Sequence, residues 1–366
     1  MTENSDIDQL SRSGLFTPFT HGSLRLRNRF AMAPMTRVKS PGGTPTAEGA
    51  AYYRARAAAE VGLIITEGIY IDHPEVGRDT DQETSVPRLS GEARVAGWRT
   101  VVDAVHAEGS AILAQIWHTG AHGLTMEPTP DMTAVGPSTI APGEGSWAMR
   151  GLTLDELGDI TRAYADAARN AQLAGFDGVE IHGAHGYLLD QFLWHRVNRR
   201  TDGYGGSLGA NARFPAEVVA AVRAATGPDF TIGFRFSQWK AEDYTATLAR
   251  NPGELAELLT PLVDAGVDIM HASTRRFWTP AFPDQPGEDG GRGLAGWTKK
   301  LTGLPTVTVG SVGLATTMQG DPHPDSDDWA DELRRRFDRE EFDVVALGRT
   351  VLTDPAWLRT AGITTG

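Results

Sequence analysis

The sequence predicts an α/β chain folded as a single (β/α)8 TIM barrel with extended loops at the C-terminal face of its strands. Three observations carry that expectation. Apolar runs alternate with helical patterns from residue 30 onward, strand then helix, to the end of the chain. Most of those runs are nearly continuous rather than alternating, as strands covered on both faces of a parallel sheet require. Eight such units fit into 366 residues, a length that barrels of this type reach as one domain, so closure is favoured over an open doubly wound sheet.

The strands are expected at 30–35, 62–70, 111–117, 178–182, 231–236, 267–272, 306–310 and 343–348. Phe30-Ala31-Met32, Leu63-Ile64-Ile65, Ala111-Ile112-Leu113 and Val344-Val345-Ala346-Leu347 are the apolar centres of four of them. Helices are expected at 46–60, 91–108, 153–174, 207–226 and 253–265. Thr153 followed three residues later by Glu156 is a capping-box signature, and Gly175 ends the same helix. Residues 1–13 read as a loose arm and 14–366 as one barrel domain. Two long loops fall after strands, where a barrel keeps its active site. Residues 120–151 are rich in Gly and Pro; residues 273–293 carry Arg275, Arg276, Phe277, Trp278 and Phe282, and their aromatic content points to substrate lids. The acidic stretch 319–328 reads as a surface insertion.

Composition removes several function classes. The net charge of −13 is spread along the chain, and the one arginine run, Arg334-Arg335-Arg336, sits among Asp331, Glu332, Asp338, Glu340 and Glu341, which argues against nucleic acid or an anionic membrane as partner. No leader-like apolar segment or bilayer-length apolar run is evident, so a cytoplasmic location is expected. Zero cysteine excludes disulfides, thiol nucleophiles and cysteine-ligated clusters.

The most informative stretch is Gly178-Val179-Glu180-Ile181-His182-Gly183-Ala184-His185-Gly186-Tyr187. An apolar strand ends in two histidines three residues apart, with a tyrosine two further on. Two neutral imidazoles can each donate one N–H to the same oxygen, while a phenol, with a usual pKa near ~10, keeps its proton at neutral pH. Gripping an oxygen while protonating a neighbouring carbon is what reduction of an activated C=C bond needs. Structural histidines at a strand end, or metal ligands with Glu180 as a third, are the other readings; the lack of a further obvious ligand disfavours the metal.

In a barrel the polar residues at strand ends converge on one mouth. Here they are Thr36, Gly68, Gln115, His182, His185, Tyr187, Arg235, Ser311, Gly348 and Arg349. Gly310-Ser311-Val312-Gly313 and Leu347-Gly348-Arg349 follow the seventh and eighth strands, where barrels commonly bind phosphate. With a guanidinium able to pair in a bidentate manner, these segments point to a phosphorylated cofactor. Gln115 and Thr36 suit the edge of a heterocycle, and Arg235 suits an anion developed on it, with a buried structural ion pair as the alternative.

These residues lie in segments that resemble the Old Yellow Enzyme family of FMN-dependent ene-reductases. The segments are 28–37 (Asn-Arg-Phe-Ala-Met-Ala-Pro-Met-Thr-Arg), Thr66-Glu67-Gly68, Gln115-Ile116-Trp117-His118, and the run from Gly178 to Leu208 with Asn198-Arg199-Arg200-Thr201-Asp202-Gly203-Tyr204-Gly205-Gly206. The likeness extends from about Leu15 to about Leu358. It implies that Ala33, Pro34, Met35 and Thr36 line a non-covalent FMN and that Gly68 lets the backbone approach its ring. Gln115 would hold the pyrimidine edge, Arg235 would lie near N1 and O2, and Gly310, Ser311, Gly348 and Arg349 would grip the phosphate. Trp117 would shape the substrate pocket together with His182, His185 and Tyr187.

The implied cycle begins with NADH or NADPH reducing the flavin. An α,β-unsaturated carbonyl compound or nitroalkene then takes hydride from N5 while His182 and His185 hold its oxygen and Tyr187 protonates Cα. A flavin-dependent dehydrogenase running in the oxidising direction and a metal-dependent barrel hydrolase using His182 and His185 are the competing classes. The sequence departs from the family pattern at three places. Arg235 is followed by Phe236-Ser237-Gln238-Trp239-Lys240 where a proline is usual, Ala121 stands where an arginine is usual, and Thr36 stands where some members have cysteine. The first two bear on substrate preference. Physiological substrate, choice of nicotinamide nucleotide, stereoselectivity and oligomeric state are not readable.

Overall fold

The computed structural model describes residues 10, 13–76, 85–121, 134–141, 148–314, 316 and 328–360. Most of the 1–13 arm, residues 122–133 and 142–147 of the first long loop, and 319–327 of the acidic insertion therefore lie outside the described residues.

Eight parallel strands close on themselves: β1 (Phe30–Met32), β2 (Leu63–Ile65), β3 (Ala111–Trp117), β4 (Gly178–His185), β5 (Thr231–Lys240), β6 (Ile269–Ser273), β7 (Thr306–Val309) and β8 (Val344–Leu347). Closure is made by β8 against β1, with Val345 opposite Phe30 and Leu347 opposite Met32. Helices α1 (Ala47–Ala58), α2 (Glu92–His106), α3 (Leu154–Ala174), α4 (Leu208–Thr226), α5 (Pro252–Asp264), α6 (Leu294–Thr302), α7 (Trp329–Asp338) and α8 (Arg349–Thr353) follow the strands in turn. The (β/α)8 barrel is thus the observed fold. The capping box of α3 forms as expected, and Gly175 closes that helix in the left-handed region at φ +93°.

Successive side chains of a strand face opposite ways, so each strand serves two cores. Ala31, Leu63, Ile65, Ala111, Leu113, Ile269, Val307, Val309, Val344 and Ala346 form the inner one. Phe19, Leu24 and Leu26 join it from an antiparallel hairpin, Phe19–His21 with Leu24–Leu26. Ser23 in its turn donates to the carbonyl of Asp229, just before β5, which places the hairpin at the N-terminal end of the barrel. The bottom is thereby plugged, and the C-terminal ends of the strands form the mouth.

Three departures from the expected boundaries matter. The 62–70 run divides into Leu63–Ile65 and Ile69–Tyr70, because the Thr66 hydroxyl, rather than a backbone carbonyl, accepts the N–H of Gln115 at 3.0 Å. Strand β4 runs on to His185 and β5 to Lys240, since a register shift after Phe236 brings Lys240 opposite His185. The aromatics of the 273–293 loop are not lids. Phe277 and Phe282 are buried in the outer core and Trp278 packs against it, with Phe282 edge-on to Trp297 of α6 at 5.8 Å between centroids. Arg336 of α7 fastens that loop by donating to the carbonyls of Trp278 and Gly291 at 2.8 and 3.0 Å while pairing with Glu341 at 2.8 Å. One member of the arginine run is thus an internal tie. Among the described residues no helix is long and apolar enough to cross a membrane.

Candidate active site

The mouth contains two adjoining parts. The first is a cavity of about 240 Å³ lined by Ala33, Pro34 and Met35 after β1, Arg235 and Trp239 of β5, Thr274, Arg275 and Arg276 after β6, Gly310 and Ser311 after β7, and Gly348 and Arg349 after β8. Four of its lining residues are arginines and none is a carboxylate. In a chain of net charge −13, that is a local concentration of positive potential suited to an anion. Arg275 lies over the Tyr244 ring at 3.8 Å, a cation–π contact at the rim.

Register explains why Arg235 reaches this place. It sits on β5 between His182 of β4 and His271 of β6. Burial lowers its pKa, and the Glu180 carboxylate beside it works in the opposite direction. Glu180 accepts from Gln115 Nε2 at 2.8 Å and lies 2.6 Å from His271 Nδ1. Burial pushes the Glu180 carboxyl up, but His271 and Arg235 pull it down further, and the net direction is down. Burial also lowers His271. A carboxylate receiving Nδ1–H of a neutral imidazole satisfies both directions. Glu180 therefore offsets part of the Arg235 charge without a direct bond to it, and its bonds to Gln115 and His271 fix their side chains.

The second part is the aromatic cluster on β3 and β4. His182 lies 5.2 Å from His185 and 5.0 Å from Tyr187 between ring centroids, and Trp117 meets Tyr187 edge-on at 4.8 Å. His185 adopts φ +64°, a left-handed conformation that is costly for a residue with a Cβ. Its ring stacks on Trp239 at 4.4 Å and its Nε2 lies 2.8 Å from Ser273 Oγ, to which Arg235 donates at 3.1 Å. Burial, then the positive charge of Arg235, holds His185 well below the ordinary imidazole range. Burial, then the nearby Glu242 carboxylate, raises the Tyr187 phenol above its ordinary value. The first is neutral and the second protonated at neutral pH. Trp239 and Ser273 join the two parts of the mouth.

The structure thus brings together Ala33, Pro34, Met35, Arg235, Gly310, Ser311, Gly348 and Arg349 in the cavity and Trp117, His182, His185 and Tyr187 beside it. Three expected residues are not among those lining the cavity: Thr36, Gly68 and Gln115, the last being buried and donating to Glu180 at 2.8 Å. Thr36 is exposed. Gly68 serves Trp117: a Cβ there would come within 2.4 Å of the indole, so glycine is needed for the tryptophan to pack. Sequence reasoning missed His271 and Ser273, which carried no motif, and passed over Asp190. Trp239 was visible only as part of a departure from the family pattern. Among the described residues no group of three or more His, Cys, Asp or Glu side chains could hold a metal ion.

Two observations test the site for a phosphorylated flavin. The buried Nε of Arg235 has no partner within the protein, and an acceptor on a bound ring would satisfy it. A Cβ added at Gly348 would meet nothing within 4 Å, so packing does not demand glycine there; it leaves room beside Arg349 for a phosphate. The residues present fit FMN.

The molecule is a (β/α)8 barrel with a cationic, glycine-edged cavity at the C-terminal ends of its strands. Residues 14–363 match the NADH:flavin oxidoreductase / NADH oxidase family, and the chain belongs to that family, the Old Yellow Enzyme family of the sequence resemblance. It is 34 % identical over 351 residues to an NADH oxidase of Thermoanaerobacter brockii, a match covering 95 % of this chain and 50 % of the relative. It is 38 % identical over 251 residues to 12-oxophytodienoate reductase 2 of Arabidopsis thaliana, covering 66 % of this chain and 65 % of the relative. The chain spans about half to two thirds of the length of these curated relatives. Among solved structures, morphinone reductase in complex with tetrahydroNAD superposes with a TM-score of 0.76 at 30 % identity, covering 96 % of this chain and 92 % of the other. The old yellow enzyme homologue from Zymomonas mobilis gives 0.73 at 28 % identity, covering 94 % and 91 %. FMN and a nicotinamide reductant accompany this family.

Proposed function

We propose that the protein reduces the activated C=C bond of small α,β-unsaturated carbonyl compounds or nitroalkenes with NADH or NADPH. The observation that carries this is the convergence of His185 and Tyr187 on His182, at 5.2 and 5.0 Å between ring centroids, beside a cavity that fits FMN. The cavity residues would hold FMN, with Arg349 and the Gly348 backbone toward its phosphate, and the bound group would supply hydride-transfer chemistry between nicotinamide and substrate.

The protein supplies orientation, charge stabilisation and a proton. Arg235 donates to Ser273 Oγ, which frees the serine hydroxyl to donate to His185 Nε2 and leaves the proton of the neutral ring on Nδ1, available to a substrate oxygen. His182 is the second donor to that oxygen. Together they stabilise the enolate-like charge that builds as the β carbon is reduced. Tyr187, kept protonated by its burial, delivers its proton to Cα. Arg235 would offer a fixed positive charge to the bound ring, and Glu180 offsets part of that charge in the buried wall.

Two measurements test this reading. Acid-released cofactor from purified protein is expected to be FMN at one per chain; FAD or a colourless zinc protein overturns it. Anaerobic reoxidation of the reduced protein is expected with enones, maleimides or nitroalkenes, and no reoxidation by any of them overturns the substrate class.

A further inference from the structure

A fully buried ion pair lies behind the histidine–tyrosine turn, and nothing in the chemistry above uses it. Lys240 Nζ is 2.8 Å from Asp190 Oδ1, and both side chains are 0 % exposed. Lys240 also donates to the carbonyls of Ser237 and Gln238, each at 3.2 Å, so its three donors are all engaged. The other carboxylate oxygen, Asp190 Oδ2, accepts the backbone N–H of Gly186 at 2.6 Å. Gly186 is the residue between His185 and Tyr187.

The opposite side of the same turn is tied to the bulge in β5. Ser237 Oγ accepts the N–H of His185 at 3.0 Å and donates to the Trp239 carbonyl at 2.6 Å. The N–H of Ala241 donates to the His185 carbonyl at 3.2 Å. The turn so held is strained at His185, with φ +64°, and continues left-handed at Gly186, with φ +90°. A residue with a Cβ stays in that region only when its surroundings over-determine it. Release to an extended backbone would swing the imidazole and the phenol to new positions together.

Stability alone does not call for such a pair, because a well-packed apolar pair of similar volume generally serves a core as well or better. Lys240 also belongs to the Phe236–Lys240 segment that departs from the family pattern. We infer that Asp190 and Lys240 are positioning residues that clamp the His185-Gly186-Tyr187 turn between β4 and β5, so that imidazole and phenol are aimed at one substrate. The inference rests on the reading of that turn as oxygen grip and proton donor.

The test uses the FMN-loaded protein and three variants: Asp190→Asn, Lys240→Met, and the double variant Asp190→Leu with Lys240→Met. Each is assayed for FMN content, far-UV circular dichroism, and affinity for 4-hydroxybenzaldehyde read from its long-wavelength charge-transfer band. Variants that fold are expected to retain FMN while binding the phenol at least about tenfold more weakly, the loss of roughly one well-aimed hydrogen bond. The double variant is expected to fold as well as the wild type without recovering affinity. Any folded variant with wild-type affinity overturns the clamp, as does failure of all three to fold, which would make the pair a folding determinant. A wild-type protein with FMN but no phenolate band overturns the functional reading itself and the clamp with it.

Discussion

The two sides of the barrel mouth are built by different means. On the β3–β5 side the groups of the proposed chemistry are side chains: His182, His185 and Tyr187, packed against Trp117 and Trp239 and backed by the Lys240–Asp190 pair. On the β7–β8 side the surface proposed for the phosphate is largely backbone, Gly310, Ser311 and Gly348, with Arg349 at the edge donating to the Thr316 carbonyl at 3.1 Å. The proposed proton donor and oxygen grip need directed groups held within a fraction of an ångström, and the side chains of that side are largely buried and packed on one another. The phosphate proposed for the other side needs N–H donors and positive charge, which a glycine-edged loop with Arg349 beside it can offer. Damage to the first side should therefore stop chemistry while sparing the cofactor, and damage to the second should do the reverse.

The largest effect is expected from Tyr187→Phe, which removes the proton and keeps the ring. Reoxidation by a cyclic enone should slow by roughly 10²–10⁴-fold while reduction by NAD(P)H changes little. Stopped-flow traces of both half-reactions decide it: equal slowing of the two, or none with the enone, makes Tyr187 structural. Nitroalkenes are a control, because their nitronate product can leave before carbon is protonated.

Replacing His182 and His185 together by Ala should weaken phenolate binding by on the order of a hundredfold, since two hydrogen bonds to a charged oxygen are lost. FMN content should be unchanged, so a titration at fixed flavin separates the two sides of the mouth. Unchanged affinity would remove the oxygen grip from these residues. Arg349→Ala should act in the opposite sense. FMN should dissociate about tenfold more readily by ultrafiltration, while the fraction that stays loaded turns over normally.

A smaller effect concerns pH. Burial holds His118, His185 and His271 below the ordinary histidine value in the folded chain. Below the unfolded pKa near ~6.5 the unfolded chain binds protons that the folded one refuses, so stability is full above that value and falls as pH drops below it. The slope is at most about 1.4 kcal/mol per pH unit for each histidine. Urea midpoints at pH 7.5 and 5.5 measure the net change, to which His106, raised by its hydrogen bond to Asp177, and Asp190, raised to about 6 by burial, contribute in the opposite sense; a higher midpoint at the lower pH contradicts the dominance of the three buried histidines. The mildest change is Gly68→Ala, whose Cβ would press on the Trp117 indole. Overpacking of this kind costs typically about 1–3 kcal/mol, read as a lower melting temperature, and should disturb the substrate side while leaving FMN content intact.

By itself the sequence determined the barrel and named most of the residues that the structure gathers at its mouth. Strand order followed from apolar runs such as 111–117 and 344–347, because a strand covered on both faces must be apolar throughout. His182, His185 and Tyr187 were legible because their spacing within one short segment is local information. The tertiary structure alone decided what lies between segments. His271 meets Glu180, and Ser273 meets both Arg235 and His185, only because the register of β4, β5 and β6 places them side by side. The lysine of a departing segment becomes an internal clamp because a bulge in β5 turns it toward Asp190, fifty residues away. Phe277 and Phe282, which the loop composition assigned to a lid, are core residues because α6 and α7 lie close enough to bury them. Hydrophobic periodicity records which residues must avoid water, whereas pairing between strands and the partner of a buried charge depend on how the sheet closes, which no single stretch of sequence specifies.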